Sequence, residues 1–421
     1  METTEQTKLL PFYGVVKEKR EFKWGGFLLL ETFNGIYQCV LKGIDMTTIK
    51  HESYVLIEGE LVDAKIKKEL VVSDKEIVVK NIKTLSEPFE LPTINIYEKT
   101  VNADQNVIFD NRQYVLRNES NKCIFKIQAK IQSLFRRFLE EKGFISISTP
   151  KLVSNGAEGG TNVFKLDYFG KEACLAQSPQ FYKQMMCGVF GKVFETAPVF
   201  RAEKHNTSRH LNEYLSMDVE MVIKENMSEI IVLQAEMMTY ILGGLCGECG
   251  EELIYLGVKE LPSESMVMTI EEAKRILGSP ISDSHSYDLT GPEEVEISKY
   301  AKEKYNAYFV FLTHYGTTMR PFYTKESKNG ITTESYDVLY KGIEITSGGQ
   351  RKETYEEYVK ALRSRGMNQE MFESYLNTFK IGMPLHGGFA IGLERLTAKI
   401  CNLESVKMAT LFPRDVDRLT P

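Results

Sequence analysis

Three stretches of the chain gather residue types that handle phosphate, metal ions or carboxylates. The first, Arg201-Ala-Glu-Lys-His-Asn-Thr-Ser-Arg-His210, holds three Arg/Lys cations and two histidines. Just beyond it Leu215, Met217, Val219 and Met221 alternate with Ser216, Asp218 and Glu220. That period of two predicts a strand with one packing face and one carboxylate face. A cationic loop beside paired carboxylates suits a polyphosphate and its metal ion; a solvated hairpin tip accounts equally well for the loop alone. The second stretch, Gly342-Ile-Glu-Ile-Thr-Ser-Gly-Gly-Gln-Arg351, sets Glu344 inside an apolar strand. A buried Glu there needs a cationic partner or a metal, whereas an exposed edge strand closing in a hairpin needs neither. The third, Pro384-Leu-His-Gly-Gly-Phe-Ala-Ile-Gly-Leu-Glu-Arg395, is a glycine-dense strand feeding a helix with Arg395 at the junction. Such a strand lets a ligand approach the backbone. The GxGxxG pattern of dinucleotide sites is absent.

These stretches need strands and helices to hold them. Ile127, Ile131, Leu134, Phe135, Phe138 and Leu139 recur at helical spacing and predict an amphipathic helix ending at Gly143. Phe144-Ile-Ser-Ile-Ser then reads as a strand stopping at Thr149-Pro150, and Val193–Arg201 and Leu215–Val222 read as further strands. Antiparallel strands with flanking helices make residues 122–421 an α+β domain, with a polar, acidic helical insertion around 262–305. The first 98 residues differ in texture. Their short runs (Phe27-Leu-Leu-Leu, Tyr37-Gln-Cys-Val-Leu, Tyr54-Val-Leu-Ile and Glu69-Leu-Val-Val) are parted by turn residues at Lys23–Gly26, Asn34-Gly35 and Ser73-Asp74. About five short strands in this length predict a small barrel of the OB type. A Pro-bearing stretch from Ser86 to Pro92 breaks the pattern, and residues 99–121 are assigned to a linker.

At 421 residues the chain has room for two to three domains. Its 52 Lys+Arg against 58 Asp+Glu give a net charge of -6, which excludes a globally basic nucleic-acid coat and leaves a local patch open. No uninterrupted run of 18 apolar residues occurs and the first residues are polar and acidic, so neither a membrane-spanning helix nor a leader is expected and the cytoplasm is the expected compartment. Among seven cysteines only Cys246 and Cys249 form a CxxC pair; free thiols in a reducing compartment account for them better than zinc.

Taken in order, Gly143–Pro150, Phe200-Arg-Ala-Glu203 with its long loop, and Gly392-Leu-Glu-Arg395 resemble motifs 1, 2 and 3 of the class II aminoacyl-tRNA synthetases. The finer resemblance is to the aspartyl-tRNA synthetases of the archaeal and eukaryotic kind. It rests on Glu158-Gly-Gly-Thr, Gln177-Ser-Pro-Gln-Phe-Tyr-Lys183, the loop from Arg201 to Glu213, Ser347-Gly-Gly-Gln-Arg351 and the terminal Leu411-Phe-Pro-Arg-Asp-Val-Asp-Arg-Leu-Thr-Pro421, and covers essentially the whole chain. Ala157 departs from the Ser or Thr usual before Glu158.

The resemblance implies activation of L-aspartate by ATP and transfer to the 3′ end of tRNA(Asp), by a homodimer joined through motif 1 with Pro150 at the contact. Arg201 is implied at the α-phosphate and Arg395 at the γ-phosphate and adenine face, both as catalytic residues. Tyr214 is implied on the other adenine face, Glu203 at the adenine edge and His210 at the terminal phosphates. Glu344 and Ser347, with Asp337 nearby, are implied to place Mg²⁺. Lys183 and Arg351 would take the substrate's side-chain carboxylate, and Glu158, Gln180 and Asp218 its ammonium, with Ser347 also at the aspartate site. Asparagine would set an NH₂ against the two cations, a mismatch of about 4 kcal/mol, or about a thousandfold. In the barrel, Phe27 and Gln38, and Glu87 more weakly, align with residues that stack on or read anticodon bases; a barrel-core position is the other account of Phe27. Two rival functions remain: an asparaginyl-tRNA synthetase, which shares the architecture, and an inactive paralogue that only binds tRNA. The first lacks the Gln-Ser-Pro-Gln-x-x-Lys and Gly-Gly-Gln-Arg pairing, and the intact Arg201, Glu344 and Arg395 set speaks against the second.

Overall fold

The computed structural model describes residues 9–154 and 162–421. Five strands come first: β1 (Leu10–Phe22), β2 (Gly25–Thr32), β3 (Gly35–Lys42), β4 (Tyr54–Asp63) and β5 (Val71–Ser86). They close into a barrel in the order β1-β2-β3-β5-β4, with β3 parallel to β5 and β1 antiparallel to β4. Alternation places Val16, Leu28, Leu30, Cys39, Leu41, Val55, Ile57, Ile77 and Val79 inside. Ser73-Asp74, expected as a turn, lies within β5: the strand shifts register against β3 between Val71 and Glu76 and so absorbs the polar pair. The expected linker is also more structured than its composition implies. It carries α1 (Gln105–Asp110) and α2 (Arg112–Val115), with Ile108, Phe109 and Val115 buried, and α3 (Glu119–Glu141) begins before residue 122.

The chain divides into two compact units, one running to Cys123 and including Glu251–Gly257, the other beginning at Ile124. The second is built on β6 (Ile145–Ser146), β7 (Leu152–Val153), β8 (Lys165–Tyr168), β9 (Lys171–Leu175), α4 (Gln180–Phe190), β10 (Lys192–Phe200) and β11 (Glu213–Val222). There follow α5 (Ser228–Glu248), then α6 (Gly250–Tyr255), which falls in the first unit from Glu251 on, then β12 (Ser265–Thr269), α7 (Ile270–Leu277), α8 (Gly291–Tyr305) and β13 (Phe309–Thr313) of the second. The chain closes with β14 (Ser335–Tyr340), β15 (Ile343–Gln350), α9 (Tyr355–Ser364), α10 (Glu373–Lys380), β16 (His386–Gly392) and α11 (Leu393–Ile400). Eight strands form one sheet in the order β12-β13-β14-β15-β16-β11-β10-β6, antiparallel except at its two ends. A small sheet, β7-β9-β8, stands apart.

The amphipathic helix forms as its spacing requires: Ile127, Ile131, Leu134, Phe135, Phe138 and Leu139 of α3 are all buried, and Gly143 follows at φ 80°. The strand expected from Phe144 shrinks to the two residues of β6, because its register with β10 covers Ile145 and Ser146 and ends on the Ile147 amide, which donates to the Phe194 carbonyl at 2.9 Å. Residues 262–305 are not purely helical. Their apolar Ser265-Met-Val-Met-Thr run joins the main sheet as β12, and Met268, Ile270, Ala273 and Ile297 share a core with Val310 and Leu312. By length and composition α5 is apolar enough to cross a membrane. Its Ile230, Leu233, Met237, Met238, Ile241, Leu242 and Leu245 are buried, and Gln234 donates to Thr346 on β15 at 2.9 Å, so the apolar run serves the core of this unit. Cys246 is exposed and Cys249 buried where α5 ends.

Candidate active site

The middle of the sheet is where the three stretches meet. β10 and β11 pair residue for residue from Lys192–Met221 to Phe200–Glu213, and the cationic loop joins them. Asn212 closes that loop, donating to the carbonyls of Arg201 at 2.6 Å and Glu203 at 3.0 Å. On the other side of β11 runs β16, then β15. A cleft opens over these strands. Arg201, Glu203, His210, Tyr214, Gln180, Lys183, Glu344, Ser347, Arg351 and Arg395 all line it. Ten residues scattered over some 200 positions thus share one wall, which rules out a solvated tip for the loop.

At one end of the cleft the ionisable groups are fully enclosed. Lys183 Nζ donates to Asp218 Oδ1 at 2.9 Å and to the Phe389 carbonyl at 3.3 Å, and lies 3.5 Å from Glu220 Oε2. Arg351 grips Glu220 with Nε at 2.8 Å and Nη2 at 3.1 Å, and Nη2 also meets the Gly388 carbonyl at 3.0 Å. Two cations and two carboxylates therefore balance in a region almost without water contact: Lys183 and Asp218 are each 1% exposed and Glu220 0%. Burial pushes the Glu220 carboxyl up, but Arg351 and Lys183 outweigh it and hold it below the usual carboxylate range. Arg351 Nη1 makes no hydrogen bond among the described residues, and with Arg351 on the cleft wall it remains for a ligand carboxylate. Ser216 Oγ donates to Asp218 Oδ2, and Gln180 Nε2 to Gln184 Oε1 at 3.1 Å, which leaves the Gln180 carbonyl oxygen as an acceptor.

The middle of the cleft carries a different charge pattern. Glu344 is pushed up to about 7, first by burial and then by the neighbouring Asp337 carboxylate, with Arg395 pulling it down. Asp337 and Ser347 face each other across β14 and β15. Asp337 Oδ1 is buried with no hydrogen-bond partner among the described residues. An orphaned carboxylate oxygen beside a second carboxyl that resists ionisation, with a hydroxyl opposite, is a set of hard oxygens fitted to a divalent cation. Arg395 Nη1 donates to the Glu344 carbonyl at 3.2 Å and lies 3.6 Å from its carboxylate. Burial and the Arg395 charge push the His210 ring down, which keeps it neutral near pH 7; its Nδ1 sits 2.7 Å from Thr207 Oγ1.

Several residues here escaped the sequence. Glu220 was visible only as the next carboxylate on the face of Asp218. Arg320 bonds both Asp337 and Ser347, yet no local pattern marks it. Arg209 reaches Glu294 on α8 at 3.4 Å, and burial pushes Glu294 up to about 7; the acidic segment thus lends the loop a partner. Glu158 lies outside the described residues. Pro150 is exposed just after β6, and Thr149 and Lys151 on either side of it are held to Glu195 at 2.7–2.9 Å.

The barrel carries the remaining candidates. Phe27 is not in its core: it faces outward on β2 with the stacked pair Phe22 and Trp24, the Trp24 and Phe27 rings meeting edge-on at 5.4 Å. Gln38 lies diagonally across from Phe27 on β3 and donates to Glu76 at 2.9 Å. Glu87 lies past the end of β5 and pairs with Lys50 at 2.9 Å.

Comparison with known proteins adds sequence and fold evidence. The pattern of the tRNA synthetases class II (D, K and N) matches residues 104–416. The aspartate–tRNA(Asp/Asn) ligase of Thermus thermophilus is 42% identical over 398 residues, covering 94% of this chain and 92% of that protein. Among solved structures, the aspartyl tRNA synthetase of Entamoeba histolytica superposes with a TM-score of 0.84 at 31% identity, over 99% of this chain and 90% of that one. The asparaginyl-tRNA synthetase of Pyrococcus horikoshii, complexed with asparaginyl-adenylate, gives 0.86 at 26% identity over 99% of both chains.

Proposed function

The chain belongs to the class II tRNA synthetases (D, K and N), within them to the aspartate–tRNA ligases, and from that membership we propose how its own residues divide the reaction. ATP, an amino acid and tRNA are the substrates. The observation that carries the assignment of roles is the enclosed Lys183–Asp218–Glu220–Arg351 quartet at the end of a cleft walled by Arg201, Glu344 and Arg395.

Aspartate enters with its side-chain carboxylate toward Lys183 and the open Nη1 of Arg351. Asp218 and the Gln180 carbonyl oxygen face its ammonium. The quartet is already neutral, so the substrate's extra negative charge is met by cations held in place by Glu220 and two backbone carbonyls. An asparagine amide brings N–H donors against N–H donors in a desolvated pocket.

The attacking α-carboxylate then faces the ATP α-phosphate beside Arg201, whose fixed charge stabilises the negative charge that gathers on the phosphorus oxygens. Tyr214 and Arg395 sandwich the adenine, Glu203 meets its edge, and His210 and Arg395 steady the departing pyrophosphate. Asp337, Glu344 and Ser347 would hold Mg²⁺, which would supply neutralisation of phosphate charge when bound. The adenylate then passes aspartate to the tRNA, whose anticodon bases stack on Phe27 and meet Gln38 and Glu87. The cytoplasmic enzyme works as a homodimer through the β6 edge and Pro150, where Ile145 is 44% exposed on a terminal strand of the sheet.

ATP–pyrophosphate exchange with Mg²⁺ tests this reading, with aspartate, asparagine or no amino acid. Exchange that depends on aspartate and falls at least about a hundredfold in Lys183→Ala and Arg351→Ala is expected, since each change strips a charge from a buried pair. Exchange driven by asparagine would overturn the pocket assignment.

A further inference from the structure

Arg320 enters the cleft from the turn after Thr317–Met319, its side chain 11% exposed and its guanidinium centred 3.8 Å above the Tyr315 ring. Nη2 donates to Asp337 Oδ2 at 2.6 Å and Nη1 to Ser347 Oγ at 3.0 Å, so one planar cation spans the facing residues of β14 and β15. The main chain of Arg320 is tied down, its carbonyl accepting from Arg365 at 2.7 Å. The head group is less well satisfied: Arg320 Nε is buried without a hydrogen-bond partner among the described residues.

We propose that Arg320 is the exchangeable counter-cation of this cradle: its guanidinium occupies Asp337 and Ser347 in the ligand-free protein, and a divalent ion gains them only by displacing it. The inference rests on the reading that Asp337, Glu344 and Ser347 hold the metal. Two arguments carry it. A buried carboxylate without a cation is strongly disfavoured, so some positive charge must stand beside Asp337 before the metal arrives. Mg²⁺ in turn demands tight, near-octahedral oxygen ligation, and it repels a guanidinium bonded to the same oxygens.

The displaced side chain is better received when nucleotide is present, because phosphate oxygens in the cleft accept the bonds it gives up. An ion arriving alone must push Arg320 off both partners with no phosphate to receive it. Metal and nucleotide therefore bind better together than apart, with Arg320 as the coupling element.

The experiment is Mn²⁺ binding to nucleotide-free protein, read from the electron paramagnetic resonance signal of the free ion. Wild type is compared with Arg320→Met, Arg320→Gln and Arg320→Lys, each alone and combined with Glu344→Gln. Melting in EDTA establishes that each variant is folded, and Arg320→Gln, which keeps a donor for Ser347, serves if Arg320→Met does not fold. The neutral variants are expected to bind Mn²⁺ about tenfold tighter or more, with Arg320→Lys close to wild type and the gain abolished by Glu344→Gln. Unchanged or weaker binding in the neutral variants, with Glu344→Gln still weakening it, would overturn the role of Arg320 and leave the metal assignment standing. Binding indifferent to Glu344→Gln throughout would overturn that assignment, and this inference with it.

Discussion

Glu394, one position before Arg395, accepts the Leu215 amide with both carboxylate oxygens, at 3.1 and 3.2 Å. This ties the start of α11 to β11, the strand that carries Asp218 and Glu220. Burial pushes its carboxyl up to about 7, so between the unfolded value near 4.5 and 7 the folded chain keeps a proton that the unfolded chain has released. Stability from this residue therefore falls as pH rises through that window, by about 1.4 kcal/mol per unit at most, and levels off above it. Glu394→Gln, which keeps the acceptor and drops the charge, should flatten this part of a denaturation profile taken from pH 4.5 to 8. An unaltered slope would mean that the carboxyl titrates normally. Residues like Lys183 and Arg351 were legible because a charge inside a diagnostic string stands out. Arg320 was not, since its meaning comes from Asp337 and Ser347, which lie 17 and 27 positions away and reach it only through strand pairing.

Gly388 shows at the level of elements why the third stretch is rich in glycine. A Cβ there would stand 2.0 Å from the Val219 carbonyl oxygen and 2.5 Å from Glu220 Oε2, so β16 can lie against β11 only without one. Gly388→Ala should force the strands apart and loosen the Glu220–Arg351 grip, costing about 3 kcal/mol or more in urea denaturation. Gly143→Ala is the comparison: it meets open space but a φ of 80°, and should cost about 1–2 kcal/mol. Equal losses would mean that β16 gives way easily. Helical period made α3 readable in advance and alternation made β11 readable. β6 was over-read because a strand's length depends on the partner available, and β12 was missed because its five residues lie in a segment whose composition is polar. The charged second half of β1, Lys17-Glu-Lys-Arg-Glu21, gives no apolar signal at all, yet barrel closure makes it a strand.

At the scale of the whole chain, the proposed roles assign activation and tRNA recognition to residues of different compact units, so the two should separate under mutation. Phe27→Ala is expected to raise the KM for tRNA about tenfold or more, from the loss of about 1–3 kcal/mol of base stacking, and to leave ATP–pyrophosphate exchange unchanged. A parallel fall in exchange would mean that Phe27 supports the fold instead. The enclosed quartet has a consequence of another kind. Buried charges, however well paired, are often no better for the folded state than well-packed apolar side chains of similar volume. With the roles proposed for them, Lys183, Asp218, Glu220 and Arg351 are thus a place where heat resistance and substrate choice pull in opposite directions. A lineage selected only to survive boiling would be free to trade them for leucine and methionine, ending with a tougher protein that no longer recognises anything.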